Sequence, residues 1–370
     1  MSEWLPGLVL PNINMTEPVE AGNFAFAPWH DPRVQEIARD DAHFALFMER
    51  FTDAFSMALR PLVFIVHSRI PRERLGVSTA STLRDCLSSS VIPLSYARTL
   101  IWGRALEFGF SDTFDLYPWM PGQDGSGGMT AFTPALRAYH IVREFHGQSS
   151  PLLSVSNLRL NDIDWTLFRQ LLARWPRHLE SAEPEWADIA LFRSLDMANS
   201  AAKIPAGRDM TEYSSGRSVA SWISAFEILV HPGPEGRVGL FDVYRLLESV
   251  QWANRDCSAP IHPAHVPRGQ PQDRILACWI YGELYKARND FAHGNPVDAN
   301  RLRLQSGRYL HYYAAPLYRM ALTAFLSLRW TQLPSDEMDT AFPDPVDMWD
   351  HQTDLERALA TIHKQPRSAG

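Results

Sequence analysis

A guanidinium, a carboxamide and an imidazole fall within six residues in the stretch Lys286-Ala287-Arg288-Asn289-Asp290-Phe291-Ala292-His293-Gly294-Asn295-Pro296. An imidazole exchanges protons near neutral pH, and the planar fork of arginine matches phosphate oxygens in a way that lysine does not. With an amide to orient them, these groups suit cleavage of RNA without a metal. There the 2′-OH attacks its own phosphate, one group manages protons, and another steadies charge on a pentacovalent phosphorane. Successive helical residues turn by about 100°, so Asn289 and His293 share a face, whereas Arg288 and His293 differ by roughly 140°. Gly294 and Pro296 are helix stop signals, and a terminal residue released from helical geometry could swing toward a neighbour. His293 would then lie at the negative end of the helix dipole, which favours its protonated form. One such helix end supplies half of an acid–base pair, and two copies across a two-fold axis would supply both halves.

Other residues fit around this centre. Glu227 lies within the apolar run Val219 to Val230, where an unpaired carboxylate is costly to bury. A partner is implied, with Arg288 of the same or a second chain as the candidate, in a site-supporting or a structural ion pair. Between Lys286 and Arg319 stand six basic residues (Lys286, Arg288, Arg301, Arg303, Arg308, Arg319) against Asp290 and Asp298. That excess is the patch an RNA would need, with Lys286, Asp290, Arg301 and Arg303 as substrate-binding or supporting residues. Tyr309, His311, Tyr312 and Tyr313 fit either base stacking or the core of a helix. Taken singly, Arg288 also fits an ion pair with Asp290 or Glu283, and His293 a helix cap. His262-x-x-His265 near Cys257 lacks the second tight pair of a zinc site, so the histidines read as incidental to a Pro-rich loop. No metal ligand set and no cofactor are expected. Asp124-Gly125-Ser126-Gly127-Gly128 lacks the Lys-Ser/Thr of a phosphate loop and reads as a surface loop.

The elements that must position these residues are helical. After about residue 183, helical apolar spacing recurs in five segments: from Glu183 through Ala198, around Val219 to Val230, Leu240 to Trp252, Arg274 to about Ala292, and Arg308 to Trp330. Upstream, Pro6, Pro11, Pro18 and Pro28 break residues 1–30 into short strands or extended cover. Asp31-Pro32 starts a helix whose apolar recurrence runs to Phe55. Pro61 to Val66 fits a buried strand or a helix. Helices opening at Ser78 or Thr79 and at Asp164 are expected to be interrupted at Pro93 and to end at Pro176. The fold class is mainly α: a C-terminal all-α helical bundle after an N-terminal mixed, helix-rich domain. The expected divisions are 1–180, 181–332 and a C-terminal extension, 333–370, with a helix from Thr353 to His363.

Composition excludes several classes. With 45% hydrophobic and 21% charged residues the chain is globular, and at a net charge of −7 it would not hold nucleic acid by bulk electrostatics. Three scattered cysteines suggest neither a disulfide framework nor a thiolate zinc site. No apolar stretch of spanning length and no leader-like N-terminus stand out, so a cytoplasmic protein is expected.

Arg288-Asn289-x-x-x-His293 resembles the Arg-polar-x(3–4)-His signature of the HEPN superfamily, in the variant where Gly follows the His, here Gly294. Leu284-Tyr285 and Ala225-Phe226-Glu227-Ile228-Leu229, similar to that variant's Ala-Leu-Glu-x-Leu helix, carry the resemblance over about residues 184 to 330. It implies an all-α domain that forms a homodimer through its motif helices and, in many members, a metal-independent endoribonuclease of phage defence, toxin systems or RNA processing. Arg288 and His293 would be catalytic, Asn289 would orient or bind, and Glu227 would support the site. Members paired with a nucleotidyltransferase antitoxin often carry Tyr two residues after the His, where this chain has Asn295. The other outcome implied is a non-catalytic module that binds RNA or nucleotide, or only dimerises.

Overall fold

The computed structural model describes residues 3–53, 55–71, 76–102, 110–121, 129–131, 156–181, 183–204, 211–295, 299–304, 306–328 and 351–363. The Gly-rich segment at 124–128 lies outside them. Two compact units emerge. One comprises residues 1–84 and 112–160, the other 85–111 and 161–370. The boundary differs from the division at residue 180, because residues 85–111 and 161–180 group with the helical unit.

The first unit is a mixed one built on a six-stranded sheet of order β3-β4-β5-β1-β6-β7. Its strands are β1 (Trp4–Leu10), β3 (Val19–Ala21), β4 (Phe24–Pro28), β5 (Leu62–His67), β6 (Tyr117–Pro121) and β7 (Met129–Ala131). A short β2 (Ile13–Asn14) pairs in parallel with β8 (Ser156–Asn157). The run from Leu62 to Val66 is a strand, β5, held between β4 and β1. Its residues are buried whichever way they point, so it needs apolar residues throughout rather than alternation. Val9, Ala25, Val63 and Ile65 form one core with Phe44, Phe47, Phe51 and Trp119.

The helix expected from Asp31 to Phe55 is two helices and a turn. α1 (Pro32–Asp40) starts where the Asp31 carboxylate accepts from the Arg33 amide and Pro32 takes the first position. Asp41 stops α1 and immediately caps α2 (Ala42–Met48), accepting from the His43 and Phe44 amides. The Asp53 carboxylate then accepts from the Phe55 and Met57 amides, at 2.8 Å each. This closes a turn that leaves Phe55 68% exposed. Local carboxylate capping competes with helical hydrogen bonding, and here it wins over apolar periodicity.

The second unit is helical. α3 (Val77–Trp102) belongs to it from Asp85 onward. It runs unbroken through Pro93, and α4 (Trp165–Glu180) runs through Pro176. An interior proline costs about 3 kcal/mol. Burial of Val91, Ile92, Leu94, Ala97 and Leu100 around the first, and of Leu171 and Trp175 before the second, offsets it. There follow α5 (Trp186–Ala202), α6 (Glu212–Leu229), α7 (Leu240–Glu248), α8 (Arg255–Ser258), α9 (Leu276–Ala292), α10 (Ala299–Leu302) and α11 (Ala314–Phe325). The Pro-rich stretch after Pro260 contains a hairpin, β9 (His262–Ala264) with β10 (Gln272–Arg274). The segment expected to start at Arg308 enters α11 by a 3₁₀ turn, Leu310–Tyr313.

Within the C-terminal extension, residues 329–350 lie outside the described ones, and α12 (His351–Ala360) is docked on the helical unit. Its Glu356 carboxylate, 1% exposed, accepts from the Ala253 amide at 3.1 Å and the Asn254 amide at 2.5 Å. No helix among the described residues is long and apolar enough to cross a membrane.

Candidate functional site

α6 and α9 run antiparallel: the Phe226 ring meets Tyr281 at 5.1 Å, and ten residues along each helix Gly216 meets Phe291. A Cβ on Gly216 would lie 2.5 Å from Phe291 Cδ2, so the absence of a side chain lets the helices close at this end. This pairing brings Glu227 to Arg288, 61 residues apart, whose Nη2 donates to Glu227 Oε1. The Arg288 guanidinium lies 4.8 Å over the Tyr285 ring. It therefore folds back toward the start of α9. Burial raises the Glu227 carboxyl above the usual carboxylate range even though Arg288 opposes the shift. Burial, and then the Glu227 charge, also push the Tyr281 phenol well up, and among the described residues its buried hydroxyl has no hydrogen-bond partner.

His293 caps α9. Its amide donates to the Asn289 carbonyl at 3.0 Å, so it keeps helical register and shares a face with Asn289. Gly294, at φ 70°, then reverses the chain, and the Gly294 and Asn295 amides return to the Phe291 and Asp290 carbonyls. This is the paired-bond glycine cap of a helix C-terminus. The chain therefore breaks only after His293, whose backbone is still in helical register with Asn289. With the guanidinium turned back over Tyr285, the two do not converge within one chain. His293 is exposed and makes no hydrogen bond to a described residue through its ring.

The basic surplus over residues 286 to 319 is largely spent on partners. Lys286 pairs with Glu283, a residue just outside the stretch counted in the sequence. Arg301 Nε lies 2.7 Å from Asp290 Oδ2, with Glu283 Oε2 3.9 Å from its Nη1. Arg308 donates to the Leu100 carbonyl at 2.9 Å and to Thr361 Oγ1 at 2.7 Å. Arg319 is buried against Asp164. Arg303 alone of the six stays on an exposed position, its guanidinium 4.4 Å over the Tyr309 ring. The patch is therefore a network of alternating charges on α9 and α10, and the expectation of an open cationic surface is corrected to that extent. His311 and Tyr313 are core residues and are not placed to stack bases. Tyr313 Oη shares a hydrogen bond with Thr361, and burial pushes the His311 imidazole down to about 3.

His262 and His265 stand on the β9–β10 hairpin and the loop after its first strand. Among the described residues, no three His, Cys, Asp or Glu group as a metal ion would need. His265, given no role in the sequence, lies against α9: its ring centroid is 6.2 Å from that of Tyr285. Gly282, three residues before Tyr285, was the available signal. No family model matches the chain, and comparison with curated proteins and with solved structures gives no match.

Proposed function

We propose that the chain is a metal-independent endoribonuclease of the HEPN type. It acts in defence against phage and cuts RNA at a site completed by a second copy of itself. The observation that supports this reading most is the meeting of Glu227 with Arg288, because two segments chosen independently as motif pieces turn out to be partners on antiparallel helices. In this reading Arg288 steadies phosphorane charge, and His293 exchanges a proton at an exposed helix end. Asn289, on the face of His293, holds the substrate. Glu227 positions Arg288, while Lys286, Asp290, Arg301 and Arg303 border the substrate path. The N-terminal unit, with its sheet, selects or senses.

Incubation of the purified chain with mixed RNA in EDTA tests this. Products ending in a 2′,3′-cyclic phosphate are expected, with loss of about 10²–10⁴-fold in rate for Arg288→Ala and His293→Ala. Equal cleavage by all three proteins, or products from none of them, overturns the reading.

A second reading has an observation of its own. The Arg288 guanidinium is already engaged by Glu227 and Tyr285, as it would be in a module that only binds or dimerises. RNA binding that survives both alanine substitutions, without products, selects that reading.

A further inference from the structure

His265 reaches α9 because Gly282 has no side chain. A Cβ there would lie 2.6 Å from Tyr244 Oη, 3.1 Å from His265 Cβ and 3.2 Å from the His265 backbone nitrogen. The Tyr244 hydroxyl donates to the His265 carbonyl at 3.0 Å, which fixes the backbone there. Gly282, Lys286, Asn289 and His293 follow at steps of four, three and four, which places them on one stripe of the helix. His265 stands over the upstream end of that stripe, and Asn289 and His293 form its downstream end. Its imidazole shares the Tyr285 ring with the Arg288 guanidinium, 6.2 Å from the ring centroid on one account and 4.8 Å on the other.

Resting on the endoribonuclease reading, we infer that His265 is a further site residue: the imidazole that takes the 2′-OH proton of single-stranded RNA beside the Arg288 guanidinium. An imidazole and a guanidinium beside one aromatic ring provide a proton acceptor and a phosphate fork. The groups around His265 suit the role. Burial and then the Lys286 charge, with Arg301, hold it below the ordinary imidazole range against the opposing Glu283 carboxylate, and the Tyr244 hydroxyl and the Tyr285 ring are further polar neighbours. It therefore stands neutral, with a free lone pair, at neutral pH. In the step itself the imidazole accepts the 2′-OH proton and the 2′ oxygen bonds to phosphorus. The bond from phosphorus to the 5′ oxygen then breaks. That oxygen leaves with a proton from His293 of a second copy or from water, giving a 2′,3′-cyclic phosphate and a 5′-OH. Neither oxidant nor cofactor is consumed. His293, exposed at the helix end, keeps the part of acid.

The test uses the full chain and an end-labelled single-stranded RNA of mixed sequence in EDTA, with kcat and KM followed from pH 5 to 9. For His265→Gln we expect kcat to fall about 100-fold or more, KM to change by less than about threefold, and the acidic limb of the pH profile to vanish. Thermal unfolding confirms that the variant is folded. Wild-type kcat and an intact acidic limb in His265→Gln, with activity lost in His293→Ala, overturn the role of His265 and leave the endoribonuclease reading standing. Absence of cleavage by the wild type overturns both. A second measurement needs no turnover: ring NMR signals of His265 should move on addition of a 2′-deoxy oligonucleotide. Binding that leaves those signals in place overturns the inference.

Discussion

Glu227 on α6 and Arg288 on α9 form an ion pair that is only partly buried, their side chains 27% and 25% exposed, yet burial holds the carboxyl above its usual range. A carboxyl raised on folding binds its proton more tightly in the native state. Its contribution to stability is thus fully present below the ordinary value of 4.5 and is lost as pH rises through the raised value. Glu227→Gln, neutral at every pH and of similar shape, should therefore remain within about 1 kcal/mol of the wild type at pH 7 and flatten the loss of stability between pH 4 and 7. Arg288→Ala leaves the carboxylate without its cation and should cost about 1–3 kcal/mol at pH 7, and less at pH 5. Urea unfolding at the two pH values measures the difference; a cost for Arg288→Ala that is independent of pH would show that Glu227 does not change its protonation between pH 5 and 7, against a raised carboxyl.

Gly294 controls where α9 stops. At φ 70° a residue with a side chain is strained, and because no described residue lies within 4 Å of a Cβ there, the penalty among the described residues is conformational. Gly294→Ala should cost about 1–2 kcal/mol and Gly294→Asn clearly less, since asparagine tolerates the left-handed region. In the endoribonuclease reading the alanine variant also slows cleavage more than its loss of thermal stability accounts for, because His293 and the cap share one turn. Thermal unfolding and cleavage assays on the two variants separate these effects.

Asp164 and Arg319 are fixed deeper, with 2.5 Å between Oδ2 and Nε and neither side chain more than 6% exposed. Burial alone would raise the Asp164 carboxyl. The charge and hydrogen bond of Arg319 overcome that and hold it below the ordinary 3.8, helped by His351 and the Leu167 amide. Stability from a depressed carboxyl is present above its unfolded value and lost as pH falls through the folded one. Burial also lowers His351, so stability is lost to it earlier, as pH falls below 6.5. Two limbs of acid unfolding are expected, and His351 shares the upper one with His311 and His265, whose imidazoles are also lowered: His351→Gln should shrink the upper limb, and His311→Gln should shrink it too. Arg319→Met should cost about 3–5 kcal/mol at pH 7, and a double variant with Asp164→Leu less than the sum of the two. Additive costs would mean the two groups do not act as a pair.

The sequence revealed the helices that carry long apolar stripes, and it also revealed the α6–α9 partnership, because a carboxylate in an apolar run demands a cation. It did not reveal what depends on local competition. Asp41 and Asp53 divide an apolar pattern that periodicity runs together, and Pro93 and Pro176 are tolerated because flanking burial outweighs one lost hydrogen bond. The basic excess misled for a related reason: three of the carboxylates that pair with it, Glu227, Glu283 and Asp164, lie outside the window in which the cations were counted. His265 was hidden in a Pro-rich stretch. Only the missing side chain of Gly282, on another element, shows what that residue approaches.

Divergence of Arg288 from His293 within one chain sets a strict requirement on the proposed reaction. Five helical residues advance about 7.5 Å and turn roughly 140°, and the Arg288 guanidinium bends back over Tyr285, away from His293. If cleavage needs both groups at one phosphate, they must come from two chains. Arg288→Ala and His293→Ala should then be inactive alone. Mixed and allowed to exchange subunits, they should regain a substantial fraction of wild-type activity, because half of the chains pair with the complementary variant and each such pair retains one guanidinium opposite one imidazole. The regained rate should rise with the fraction of mixed dimers, which differently tagged chains allow to be isolated. A mixture no more active than its components, while the wild type cleaves RNA, would place the reacting groups within one chain and remove the two-fold axis from the mechanism.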